Sequence, residues 1–192
     1  MAKLYFNYSS MNAGKSTALL QANHNYKERG MNTTLYTSSK DERYGKNEIV
    51  SRIGIKASAN YFFEDTNIHE EVLKEIEEND INCVLIDEAQ FLSKDQVFQL
   101  GRIVDEVNIP VLTFGIRTDF QGELFEGSQY LLAWSDNIKE IKTVCHCGGK
   151  ATMVVRINSD GSIVSEGTQI EVGGNESYVP LCRKHFNSKE ID

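Results

Sequence analysis

Ser9-Ser10-Met11-Asn12-Ala13-Gly14-Lys15-Ser16 lies between a short apolar run, Leu4–Tyr8, and a helical pattern that starts near Ser16. A strand, a turn of small residues and a helix with free N–H groups at its start together frame an anion. In that frame Lys15 reaches the β- and γ-phosphates of a nucleoside triphosphate and the Ser16 hydroxyl ligates Mg²⁺. Ser9, Ser10, Met11, Asn12, Ala13 and Gly14 form the rest of the loop. Ser9 stands where the common G-x-x-x-x-G-K-[ST] pattern has glycine, and serine takes a positive φ less cheaply. A chance Gly-Lys-Ser-Thr at a helix start is the competing reading. The strand before it and the helix after it favour the phosphate loop.

Outward from this loop, apolar runs alternate with helical stretches over the first ~115 residues, the pattern of a parallel-sheet α/β domain. Thr17–Arg29 reads as a helix closed by Gly30, and Thr33–Thr37 as a second strand. Ser38–Asn60 has little periodicity and reads as a long mobile loop, with a strand marked at Ile49–Ile53. Ile68–Glu78 is an acidic amphipathic helix, and Cys83–Ile86 an unbroken apolar run of the kind found in buried central strands. Lys94–Val107 reads as a helix and Val111–Ile116 as another buried strand.

Beyond that the texture changes. Ile138–Val144, Thr152–Ile157 and Ser162–Ser165 look like short strands, with Asn158-Ser159-Asp160-Gly161 as a turn. The expected organisation is a P-loop NTPase-like parallel sheet over residues 1–142 and a small C-terminal zinc-binding lobe over 143–192. Ser165–Tyr178, with Gly167, Gly173 and Gly174, reads as a binding loop, and Asn187–Asp192 as a frayed tail.

The 192 residues carry a net charge of −8 with no Lys/Arg cluster, which disfavours a nucleic-acid partner. The interrupted N-terminal run is too short for a signal peptide, and no apolar stretch approaches the ~20 residues of a membrane span. A cytoplasmic protein is expected. Its four cysteines then belong to a reducing compartment, where metal binding is a better default than disulfides.

Two constellations carry chemistry. Asp87-Glu88 ends the Val84–Ile86 run, at the sheet edge where α/β folds bind ligands. Successive side chains on a strand face opposite ways. Asp87 therefore suits the Mg²⁺ shell, and Glu88 suits a general base for an attacking hydroxyl. Cys145-His146-Cys147 and the later Cys182-Arg183-Lys184-His185 offer a closed four-ligand zinc set of Cys145, Cys147, Cys182 and His185, for which His146 is a competitor. Cys83 reads as a core thiol. His24 and His69 read as solvated. Phe91, Phe120 and Tyr178 stand beside loops, where they could sandwich a base or simply pack.

The ordered set S-x-M-x-A-G-K-S-T, D-E-R-Y at Asp41–Tyr44, D-E-A-Q-F at Asp87–Phe91, R-T-D-F at Arg117–Phe120 and G-G-N-E-S-Y at Gly173–Tyr178, followed by C-R-K-H, resembles the type II thymidine kinases. It closely resembles their enterobacterial branch. The likeness covers nearly the whole chain. It implies ATP-dependent phosphorylation of the thymidine 5′-hydroxyl to dTMP, a salvage step for DNA synthesis. By the resemblance Lys15, Glu88 and Arg43 are catalytic, Asp41 faces the metal, and Gln90 joins Asp87 in the ATP/Mg²⁺ set. Met11, Phe91 and Phe120 match the thymine pocket. Ile170, Glu171, Val172, Gly173 and Gly174 match a lasso whose backbone binds the base, with Tyr178 closing over it. The resemblance also implies the zinc set, a homotetramer and feedback inhibition by dTTP. The chain departs from the family at Ser9 and in having C-x-C…C-x-x-H rather than four cysteines. Two rival classes are a nucleic-acid-dependent ATPase with a zinc ribbon and a non-catalytic nucleotide sensor.

Overall fold

Alternation in the strands places the sheet between two layers of helix. The computed structural model describes residues 1–41, 47–169 and 178–191. β1 (Leu4–Ser9) feeds α1 (Lys15–Glu28), whose last turn is closed by Gly30 at φ +72°. β2 (Asn32–Ser38) follows, and then β3 (Glu48–Val50), β4 (Lys56–Ser58) and β5 (Asn60–Phe62). The helix α2 (Ile68–Glu78) leads to β6 (Ile81–Ile86). A single 3₁₀ turn at Ala89–Phe91 separates β6 from α3 (Lys94–Arg102), which continues as a π-helical turn over Ile103–Val107. β7 (Val111–Ile116), α4 (Glu126–Trp134) and β8 (Asn137–Glu140) complete the main layer.

Six strands form one parallel sheet in the order β5-β2-β6-β7-β1-β8. In β6 the side chains of Val84 and Ile86 join a core with Phe6, Ile68, Val72, Leu100 and Leu131. Cys83 and Leu85 join the opposite core with Leu19, Leu20 and Phe114. Each face is thus apolar, and α1 covers one while α2, α3 and α4 cover the other. The carboxyl ends of β1, β2, β6 and β7 lie at one edge, so the loops that follow them share that edge.

Several expectations change. Glu48–Val50 and Lys56–Ser58 pair as an antiparallel hairpin within the stretch read as a loop, and Asn60–Phe62 is the edge strand. Ile138–Val144 is two strands, the first in the main sheet beside β1 and the second, β9 (Thr143–Val144), outside it. α4 carries no capping signal, since its N-cap is Phe125 with no side-chain bond, and the sequence marked no helix there. His69 is 5 % exposed rather than solvated, with Nε2 3.4 Å from a Glu106 carboxylate oxygen. The π turn carries Glu106 against the first turn of α2, a contact no helical period reveals. His24 is exposed as expected.

The C-terminal part is built from β9 paired with β10 (Lys150–Ala151), from a sheet ordered β12-β11-β13, and from α5 (Arg183–Ser188). In that sheet β11 (Met153–Ile157) pairs antiparallel with β12 (Ile163–Val164) and β13 (Tyr178–Leu181). Among the described residues its own core cluster is only Cys145, Ala151, Val155 and Leu181. A core that small needs another tie to hold its strands together.

Candidate active site

The phosphate loop begins where β1 ends. Gly14 has φ +80° and is the N-cap of α1, and Asn12 also has a positive φ of 62°. Ser9 does not, so the missing first glycine leaves no strain at that position. Instead its hydroxyl accepts a hydrogen bond from Lys15 Nζ at 3.2 Å, and the Ser10 carbonyl accepts a second at 3.3 Å. Lys15 is thereby buried with its ammonium drawn back over the loop.

Ser16 Oγ donates to Asp87 Oδ2 at 2.8 Å, bringing together two residues 71 positions apart. Asp87 is 3 % exposed. Burial, and then the charge of Glu88, pushes its carboxyl up to about 7, against the opposing effects of Ser16, the Glu88 N–H and Lys15. A carboxylate and a hydroxyl so placed suit a hard cation such as Mg²⁺, which takes oxygen ligands and relieves the cost of a buried negative charge.

Glu88 follows Asp87 directly and lines the same cleft. Its backbone is left-handed at φ 51°, uncommon for a residue with a side chain. Gln90 Nε2 donates to Glu88 Oε2, while Gln90 Oε1 accepts the Ile116 N–H at 3.1 Å. The Glu88 carboxylate is therefore held from the end of the neighbouring strand β7. One cleft contains the phosphate loop Met11–Thr17, Thr37, Asp41, the hairpin segment Glu48–Arg52, Asp87 and Glu88. Arg52 and Glu48 were not marked in the sequence. Arg52 Nη2 donates to Asn12 Oδ1, so a second cation lies in the cleft wall beside the phosphate loop.

The aromatic candidates lie around the next strand end. Phe91 meets Phe125 edge to face at 5.9 Å between centroids, with Lys40 Nζ 5.9 Å from its ring. Phe120 is 4 % exposed and carries the Arg156 guanidinium over its ring. Tyr178 opens β13 directly across from Arg156. Arg43, Ile170, Glu171, Val172, Gly173 and Gly174 lie outside the described residues. Asp119 stands inside the R-T-D-F motif without a role of its own there, and the sequence did not mark Arg156 and Gln169, because an Arg in an apolar strand and a loop Gln carry no pattern of their own.

Cys145, Cys147, Cys182 and His185 offer ligand atoms all within 4.8 Å of one another. Cys145 Sγ and Cys182 Sγ each lie 3.4 Å from His185 Nδ1, and Cys147 Sγ lies 4.0 Å from Cys182 Sγ. Tetrahedral Zn²⁺ with ordinary bond lengths requires edges of about 3.6 Å for S–N and about 3.8 Å for S–S, so the set fits. Burial raises the Cys145 thiol, but hydrogen bonding from Cys182, His185 and Cys147 overcomes this and brings it down to about 6, close to the thiolate a metal needs. His185 Nε2 is 3.6 Å from Glu190 Oε2, the outer carboxylate typical of metal-bound histidines. His146 stacks on His185 at 4.3 Å and is not part of the four.

Comparison with known proteins agrees over nearly the full length. A family model described as thymidine kinase matches residues 2–186. A thymidine kinase of Shewanella oneidensis is 59 % identical over 186 residues, covering 97 % of both chains. One from Haemophilus influenzae is 55 % identical over 189 residues, covering 98 % of each. One from Salmonella typhimurium is 56 % identical over 186 residues, 97 % of this chain and 91 % of its own.

Proposed function

The chain belongs to the thymidine kinase family, and from that membership and the cleft geometry we propose that it transfers the γ-phosphoryl group of ATP to the 5′-hydroxyl of thymidine, yielding dTMP and ADP. The observation that carries the reading is that Lys15 and Glu88, from two separate motifs, share one cleft with the bonded Ser16–Asp87 pair.

In this mechanism the loop N–H groups and Lys15 hold the β- and γ-phosphates, the ammonium leaving Ser9 and Ser10 for the anion. Asp41 and Arg43 are assigned to the metal side and to the transferring charge, as the family resemblance implies. Mg²⁺ held by Ser16 and Asp87 would spread the charge of the phosphate oxygens. Glu88, oriented by Gln90, takes the proton of the 5′-hydroxyl as the oxygen attacks phosphorus in line. The bond from phosphorus to the β–γ bridging oxygen breaks, and ADP departs with that electron pair. Met11, Phe91 and Phe120 are assigned to the base, with Ile170–Gly174 and Tyr178 closing over it. Zn²⁺ on Cys145, Cys147, Cys182 and His185 would tie β9–β10 to α5 and so give the small lobe the rigidity its core lacks.

We extend the reading to a cytoplasmic homotetramer inhibited by dTTP. Support comes from the family resemblance and from large apolar side chains left exposed beside the edge strand, Trp134 at 58 % and Ile138 at 47 %. Among the described residues no helix is long and apolar enough to cross a membrane. The net charge of −8 disfavours the nucleic-acid-dependent ATPase.

The test is product formation. With Mg-ATP and thymidine the purified protein should release dTMP and ADP in equal amounts. Deoxycytidine should be a poor acceptor, and single-stranded DNA should leave ATP hydrolysis unchanged. DNA-stimulated hydrolysis with no dTMP would overturn the reading in favour of the ATPase.

A further inference from the structure

Arg156 is a charged side chain only 6 % exposed, in a strand whose other residues are apolar. Its guanidinium carbon lies 4.2 Å from the centroid of the Phe120 ring, a close cation–π stack. From the same group Nη1 donates to the Thr168 carbonyl at 3.2 Å. Gly167 has φ +150°, and a Cβ there would collide with Arg156 Nη2, so the chain passes tight against the guanidinium. Tyr178 is the cross-strand partner of Arg156, which puts both side chains on one face of the β11–β13 pair.

A second tie reaches the same segment from the main sheet. Asp119, 3 % exposed, accepts the N–H groups of Gln121 and Glu123 on Oδ1 at 2.9 Å each. Its other oxygen accepts Gln169 Nε2 at 2.9 Å. The residues just before the nucleoside-binding stretch are thus gripped by a guanidinium from the small lobe and a carboxylate from the loop after β7.

We propose that Arg156 is a positioning residue for the nucleoside: it holds the Phe120 ring, the Gly167–Gln169 segment and Tyr178 in one arrangement, and with Asp119 sets the affinity for thymidine without touching the phosphates. This rests on the thymidine kinase reading above. Arginine suits the position because a flat guanidinium stacks on a ring and donates in its own plane at once, which an ammonium cannot do.

Steady-state kinetics with each substrate varied separately test it. Arg156→Met should raise the thymidine KM by about tenfold or more while the ATP KM and kcat at saturating thymidine stay within about threefold. Zinc content per chain should match wild type. On a Phe120→Leu background the same substitution should add less than about twofold, because the two side chains act as one unit. Arg156→Lys, which keeps the charge and most of the volume, should still raise the thymidine KM by about threefold or more, and it stands in if the Met variant is insoluble. An unmoved thymidine KM in the Lys or Met variant, or equal rises for both substrates, overturns the proposal. Wild-type enzyme is the control: no dTMP from wild type defeats the kinase reading, whereas active wild type with unmoved variants defeats this inference alone.

Discussion

Glu88 combines a left-handed backbone with a carboxylate held by Gln90. Such a conformation costs about 1–3 kcal/mol for a residue with a Cβ and persists only where the surroundings hold it. The surroundings are the Glu88 N–H donating to Asp87 Oδ1 and the Gln90 link to β7. Glu88→Gln keeps the shape and removes the proposed base. Turnover should fall by about 10²–10⁴ while ATP binding by titration stays as in wild type. Wild-type-like turnover would take Glu88 out of the proton transfer. Arg52 is a different kind of residue, an exposed side chain that reaches the loop only because of the hairpin. With a triphosphate bound, it lies where it can add a charge-assisted hydrogen bond. Arg52→Ala should raise the ATP KM by about three- to tenfold and leave the thymidine KM unchanged. An unchanged ATP KM would reduce Arg52 to a surface contact.

At the scale of elements, the short turn after β6 is set by what presses on it. A Cβ on Gly127, in the first turn of α4, would lie 2.5 Å from the Ala89 carbonyl oxygen and 2.8 Å from that of Leu92. A Cβ on Gly115 in β7 would lie 2.9 Å from Gln90 Oε1 and 3.0 Å from its N. Both glycines let a helix and a strand close on the turn that carries Gln90, and neither has a positive φ. Ser128 adds a hydrogen bond from Oγ to the Ile116 carbonyl. Gly127→Ala forces backbone to move, and overpacking of this kind costs about 1–3 kcal/mol. The melting temperature should fall by several degrees, at about 2–4 °C per kcal/mol for a chain of this size. Turnover should fall with it, because Glu88 loses its alignment. A variant with reduced stability and full turnover would separate the turn from the catalytic geometry.

For the whole molecule, the phosphate-loop cleft and the Arg156–Tyr178 face rest on different supports. The cleft stands on the parallel sheet and its two cores, while Arg156 and Tyr178 stand on the small sheet beside the Cys/His set. Besides the Arg156–Phe120 and Gln169–Asp119 ties, the two parts meet through Ser10 Oγ to the Ala151 carbonyl at 3.4 Å and Arg117 Nη2 to the Thr152 carbonyl at 3.3 Å. Stripping the proposed zinc with a chelator, or Cys182→Ser, should therefore raise the thymidine KM strongly and lower thermal stability, yet leave ATP binding within a few-fold. Equal loss of both affinities would show that the small lobe also supports the phosphate loop. Unchanged stability and affinity would remove zinc from the structure.

The parallel sheet and its phosphate loop were legible in the residues because their signals are local. Apolar runs bounded by turns mark strands, and Gly-Lys-Ser at a helix start marks an anion site. The Cys/His spacing likewise named four side chains that the structure gathers within 4.8 Å. What lacked a local signal was not readable. Of the hairpin over Glu48–Ser58 only the first strand was marked, as Ile49–Ile53, α4 starts without a cap, and the contact of His69 comes from another helix. The brace of Arg156, Asp119 and Gln169 joins positions up to 50 residues apart. Spacing along a chain records which residues share an element. Which elements meet, and so which charge lies over which ring, is decided only when the two lobes pack, because that contact is set by the buried surfaces of both.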